Sequence, residues 1–203
     1  MANLLYQGDL PSGLDLGATV AVDSETMGLK PFRDRLCLIQ LSSGDGNAHL
    51  VQFPKGDLAA PRLRALLTDP GTLKIFHFAR FDLAAIRHHM GVVVSPVYCT
   101  KIASRLVRTF AERHGLKDLC KELLGVDISK QMQSSDWGAG ELSNRQLDYA
   151  AADVLHLHRL KAELDRRLER EERTELAEAL FRFLPTRAEL DLLGWNDPDI
   201  LDH

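Results

Sequence analysis

Unbroken apolar runs, not strict alternation, open the chain. Residues 18–22 (ATVAV) end at Asp23 and read as a strand buried on both faces. Residues 35–42 (RLCLIQLS) form a second run, after a turn around 31–34. The segment GDGN at 44–47 is a strong hairpin signal, and a third strand follows over 49–53. The pattern therefore predicts a meander of three strands. From residue 60 the period becomes helical. A helix over 60–68 stops at Asp69-Pro70-Gly71, a strand occupies 73–78, and a helix over 79–90 ends at Gly91.

A short strand is expected over 97–99, then helices near 100–109 and 116–124, the second closed by Gly125. Residues 128–140 show no period and read as a loop. Ser143 and Gln146 fit a capping box. Leu147, Ala150, Ala151, Val154, Leu157, Leu160, Leu164 and Leu168 then keep one apolar face, predicting a single long helix to about Glu171. Another helix over 174–183 precedes Pro185, and an apolar cluster at 188–193 with Trp195 forms a tail. Strands first, then strand alternating with helix, predict an α/β fold with a mixed central sheet flanked by helices. There is no repeat or linker, so 1–203 is expected to be one domain, with a tail from about 186 available for oligomer contacts.

Composition narrows the classes. Hydrophobic residues at 45% and charged residues at 27% exclude a mostly disordered chain. No run approaches ~18 uncharged apolar residues, so no membrane span is expected. The first residues lack the basic and apolar regions of a signal peptide. Three cysteines without a Cys-x-x-Cys pair argue against a disulfide framework or a cysteine zinc site, and point to a cytoplasmic setting. With 25 basic and 29 acidic residues the net charge is −4. That argues against tight, sequence-independent binding of long duplex nucleic acid. A short anionic substrate in a local pocket remains open.

Four acids carry the candidate chemistry. Asp23 and Glu25 sit two apart at a strand end, hence on one side of it. Asp82 lies near a helix start, where the helix dipole alone would favour it. Asp153 is four residues after Tyr149 on one helical face, among Ala150, Ala151 and Val154. An unpaired carboxylate buried there would be costly, and a cation would remove the cost. Singly, such acids are commonplace caps and turns. Together they are an all-oxygen set of the kind hard divalent cations take. Two such ions can clamp the attacking and leaving oxygens of a phosphodiester.

These segments resemble a known superfamily. VDSETMGL over 22–29 resembles the first motif of the DEDD 3′–5′ exonucleases. HFARFDL over 77–83 resembles the second, and YAAADV over 149–154 the third in its tyrosine form. QSSDW over 133–137 is similar to a stretch before the third motif of ribonuclease D. The short length, GAGEL at 138–142 and the ending FLPTRAELDLLGW at 183–195 depart from ribonuclease D. With KIAS at 101–104, RHGLK at 113–117 and SKQ at 129–131, they resemble instead the compact bacterial nanoRNase C group.

The resemblance implies a ribonuclease H-like, DnaQ-like fold and a 3′–5′ exoribonuclease acting on very short single-stranded RNA, chiefly 5′-phosphorylated dinucleotides. It implies two divalent ions, Mg²⁺ or Mn²⁺, held by Asp23, Glu25, Asp82 and Asp153, with Tyr149 on the attacking water. It also implies a homo-oligomer of ring form, an octamer among the options. Leu29, after Gly28 in a turn, is read as a wedge between two bases, with core packing as the alternative. Ser129, Lys130, Gln133, Ser134 and Ser135 suit a terminal phosphate, or form an ordinary polar loop. His77 reaches the nucleotide or is structural. Phe76, Phe78 and Phe81 read as core, and His88, His89, His156 and His158 as facing solvent or helix neighbours. The competing functions are a broader ribonuclease D-like exonuclease on RNA or DNA and an inactive nucleic-acid-binding module.

Overall fold

The computed structural model describes residues 2–53, 58–129, 131–132 and 134–202. The meander forms as expected: β2 (Thr19–Thr26), β3 (Leu36–Ser42) and β4 (Ala48–Gln52) pair antiparallel in sequence order. β5 (Leu73–Phe76) adds parallel to β2, and β6 (Val97–Cys99) parallel to β5. A strand the pattern does not announce, β1 (Asn3–Gln7), adds parallel to β4. The sheet order is β1-β4-β3-β2-β5-β6. β1 is exposed along most of its length, so no buried run marks it. Its hydrogen bonds to β4 make it a strand.

The helices are α1 (Pro61–Thr68), α2 (Ala79–Met90), α3 (Thr100–Val107), α4 (Leu116–Leu124), α5 (Asn144–Leu155), α6 (Leu157–Arg170) and α7 (Thr174–Leu192). The predicted capping box is present: Ser143 and Gln146 exchange side-chain and backbone bonds at the start of α5. The predicted single helix after it is broken at His156, with φ −106° and ψ −5°. Leu157, Leu160, Leu164 and Leu168 stay buried across the break, so the apolar period could not reveal it. The last helix runs through Pro185 instead of ending before it. A mid-helix proline costs about 3 kcal/mol. Packing of α7 against α2 and its other neighbours, with Leu184, Arg187 and Ala188 buried, offsets that cost.

The apolar cluster at 188–193 is therefore mostly the end of α7. Asp191 of this segment receives a bidentate pair from Arg80 at 2.6 and 2.7 Å, and Arg187 binds Asp191 and Asp199. Leu193, Trp195 and Leu201 remain exposed. All residues of β3 and β4 are buried. α5 lies against β2, β3 and β4, which sets its Tyr149 and Asp153 over the end of β2.

Candidate active site

β2 does not end at Asp23 but continues to Thr26, carrying Asp23 and Glu25 on one face. Its register against β3 shifts between Glu25 and Thr26, an irregularity of the kind that re-aims side chains beside functional sites. From the face of α5 comes Asp153. Carboxylate oxygens of Asp23, Glu25 and Asp153 all lie within 4.8 Å of one another. Asp82 is not one of this trio, but among the neighbouring charges it raises the Asp23 carboxyl most. It projects from the first turn of α2, 3% exposed, and its Oδ1 accepts a 2.6 Å hydrogen bond from Ser24 Oγ. The structure thus gathers three of the four acids closely and holds the fourth on the same cavity by a separate tie.

Burial, then the charges of its neighbours, raises the Asp23 carboxyl well above the usual range. Glu25 is pushed up by burial and by Asp153 and Asp82. Asp82 moves up by burial too, with the Ser24 hydrogen bond opposing the shift. Such a cluster of like charges is unfavourable alone and well matched to a cation. The all-oxygen donor set fits a hard divalent ion. Tyr149 is driven upward by burial first and then by Asp153, so at neutral pH it is a phenol and a hydrogen-bond donor. Trp137 lies 6.0 Å from its ring, centroid to centroid.

These groups open on one cavity of about 660 Å³. Leu29, His77, Ser129, Ser134 and Ser135 all line it. Leu29 is 82% exposed, which removes its core-packing alternative. The turn that presents it is braced: Lys30 N–H donates to Asp34 Oδ2 at 2.9 Å, and Met27 N–H to Arg35 O at 3.0 Å. The Arg33 guanidinium holds the Asp34 carboxyl down at about 2. A Cβ on Gly28 would fall 2.4 Å from Asp34 Oδ2, so any side chain there would have to displace a carboxylate that Arg33 and Lys30 hold in place. Ser135 Oγ accepts from Gln146 Nε2 at 3.3 Å. Lys130 and Gln133 lie outside the described residues.

His77 is oriented by Thr100. Its Nδ1 lies 2.9 Å from Thr100 Oγ1, which is itself 3.2 Å from Phe76 O. His89 and His158 are anchored instead, through Nε2 to Asp34 O and Thr19 O.

Several lining residues were not expected. Phe76 is core as read, but Phe78 is 48% exposed, has φ 65°, and lines the cavity with Phe81. An aromatic residue in the left-handed region is unfavourable by roughly 1–3 kcal/mol. The strain turns the chain sharply from β5 into α2 and sets the Phe78 ring outward. Lys101 Nζ lies 3.8 Å from that ring's centroid. Lys101 and Lys117 are the cations lining the cavity among the described residues, and Lys117 pairs with Asp127 at 3.2 Å. Lys101 lies in the first turn of α3 and Lys117 in the first turn of α4, and neither position by itself signals a place in the cavity.

Comparison with known proteins agrees with this geometry. Residues 9–169 match a family model described as 3′–5′ exonuclease. The ribonuclease D of Gluconacetobacter diazotrophicus is 36% identical over 156 residues, 77% of this chain and 39% of that protein. The chain thus spans about two fifths of the length of the curated relatives it matches. A structure of Brucella melitensis NrnC bound to pGG is 56% identical with TM-score 0.95, covering 98% of each chain. Brucella melitensis NrnC with bound Mg²⁺ is 55% identical with TM-score 0.94, again over 98% of each chain. With its motifs converging at the end of β2 and the family model matching most of its length, the chain belongs to the 3′–5′ exonuclease family of the DEDD superfamily and has its DnaQ-like fold.

Proposed function

We propose that the chain is a metal-dependent 3′–5′ exoribonuclease whose preferred substrates are 5′-phosphorylated RNA dinucleotides. The observation that carries the reading is the half-buried trio Asp23, Glu25 and Asp153 sharing one cavity with Asp82, Tyr149 and an exposed Leu29. Asp23, Glu25 and Asp153 would hold one divalent ion, Mg²⁺ or Mn²⁺, and Asp82 with Asp23 would hold a second. Bound there, the ions supply positive charge to the phosphate oxygens and lower the pKa of a water.

The chain's own residues do the rest. The Tyr149 hydroxyl, kept protonated, donates to the attacking water and sets its direction toward phosphorus. It is not a base at neutral pH. Attack on the terminal phosphodiester breaks the bond between phosphorus and the 3′-oxygen. The products are a 5′-mononucleotide and a chain shorter by one residue, which for a dinucleotide means two mononucleotides. Leu29 inserts between the two bases from the rim. His77 contacts the nucleotide, and Ser129, Lys130, Gln133, Ser134 and Ser135 close on the 5′-phosphate.

Length selectivity follows from the cavity. Its volume of about 660 Å³ is that of a small-ligand pocket, not of an extended track. The net charge of −4 offers a longer RNA little compensation outside it. The similar NrnC structure with pGG supports a short substrate. The exposed Leu193, Trp195 and Leu201 support assembly into a homo-oligomeric ring.

The test is time-resolved hydrolysis of 5′-labelled RNAs from two to about ten nucleotides with Mg²⁺ or Mn²⁺, beside matched DNA. Dinucleotides are expected to be cleaved fastest, with a shallow salt dependence of roughly −0.7 per phosphate contact. Equal kcat/KM across lengths with a steep salt slope would replace this reading with a general exonuclease. Absence of hydrolysis with either metal would leave only a binding module.

A further inference from the structure

Ser24, between the two β2 carboxylates, lies inside the first motif, but the sequence assigns it no role there. Strand alternation turns it to the face opposite Asp23 and Glu25. It is 6% exposed, so its hydroxyl needs a buried partner. That partner is Asp82, 58 residues along the chain, at 2.6 Å.

Sheet topology makes this contact available. β2 pairs with β3 as far as Thr26, but with β5 only over Thr19, Val20 and Ala21. Past Ala21 the β5 side of β2 has no strand beside it. The chain instead turns at Phe78 into α2, whose first turn brings Asp82 to that open edge. The Asp82 side chain thus fills, at Ser24, the edge that a strand neighbour would have covered.

We propose that Ser24 is a positioning residue for the metal site: its hydroxyl occupies Asp82 Oδ1, fixes the carboxylate plane, and leaves Oδ2 to face the cavity toward a divalent ion. The inference rests on the assignment of Asp82 as a ligand under the proposed function. A hydroxyl-to-carboxylate bond of this length is charge-assisted and directional. Without it the carboxylate rotates about its last torsion and one oxygen loses its donor. Ser24 lines the same cavity, but its hydroxyl is engaged with Asp82, and through that carboxylate it would act on the ion. Loss of such an outer partner typically weakens metal affinity about 10–100-fold.

The experiment titrates the full chain with Mn²⁺ alone, followed by calorimetry or by the electron spin resonance of free Mn²⁺, without substrate. Ser24→Ala should weaken the weaker of the two Mn²⁺ sites by roughly tenfold or more. In an Asp82→Asn background the same change should add almost nothing, because the two side chains act as one unit. Ser24→Thr and Ser24→Val have nearly the same shape and differ in the hydroxyl, so they control for packing if the alanine variant folds poorly. Thr should retain Mn²⁺ affinity and Val should lose it. Equal affinity of the Thr and Val variants, or additive losses in the double variant, would overturn the role of Ser24. If Asp82→Asn leaves Mn²⁺ binding unchanged, the assignment of Asp82 fails first, and this inference with it. A loss in Asp82→Asn with none in Ser24→Ala sinks only the present inference.

Discussion

Replacing Asp153 with Asn should make the metal-free protein more stable while abolishing turnover. Asp23, Glu25 and Asp153 bring oxygens within 4.8 Å of one another. At an effective dielectric of about 20, two unit charges at that separation repel by about 3.5 kcal/mol. Burial adds to this, so the metal-free site retains protons that the unfolded chain has released. Ordinary carboxyls titrate near ~4, and Glu25 is pushed up to about 9. Within that window the folded state binds more protons than the unfolded state. Stability therefore falls as pH rises, by up to about 1.4 kcal/mol per unit per retained proton. It stops falling once the folded-state values are passed.

Removing one charge from the trio should relieve about 1–2 kcal/mol, the part of the repulsion left after protons are shared. For a chain of this size that is a rise in Tm of about 3–6 °C. The assay is thermal unfolding by circular dichroism in chelator and in excess Mg²⁺, from about pH 5 to pH 8. In chelator the wild type should melt lower at the alkaline end, and Asp153→Asn should melt above it there with a flatter slope. Excess Mg²⁺ should reverse the order, because the variant has lost a ligand. A wild-type Tm that rises with pH in chelator, or a variant that melts lower than wild type there, would refute the clustered-charge argument.

Other outcomes follow from the same geometry. Tyr149→Phe should retain Mn²⁺ and dinucleotide binding and lower kcat by about 10², the low end for a proton-handling group; equal losses in binding and turnover would make it a binding or structural residue. Leu29→Ala should reduce kcat/KM for dinucleotides more than for longer RNAs without moving Tm, since the side chain is 82% exposed; a uniform reduction across lengths would remove the wedge. Lys130→Ala should matter only when the 5′-phosphate is present, measured by comparing phosphorylated and unphosphorylated dinucleotides. The double substitution Leu193→Ser with Trp195→Ser should lower the native mass in light scattering; an unchanged mass would free these residues of any interface role.

Local pattern carried much of this molecule. The meander of β2, β3 and β4 is legible because each strand is a short apolar run bounded by turn residues. The start of α5 is legible because a capping box is a four-residue chemical signal. Asp23, Glu25, Asp82, Tyr149 and Asp153 stand out because their residue types and neighbours suit one chemistry. What pattern could not decide depends on partners far along the chain. β1 is a strand only through β4, and α7 continues past Pro185 while packed against α2 and the elements beside it. The break at His156 is silent because the apolar face continues in phase on both sides of it. Phe78, one of three similar phenylalanines, leaves the core because the chain must turn there from β5 into α2. The tie of Asp82 to Ser24 arises where β5 stops pairing with β2 and a helix fills the edge. Residue type and spacing select the chemistry; distances between side chains 58 to 130 positions apart are set by how sheet and helices pack.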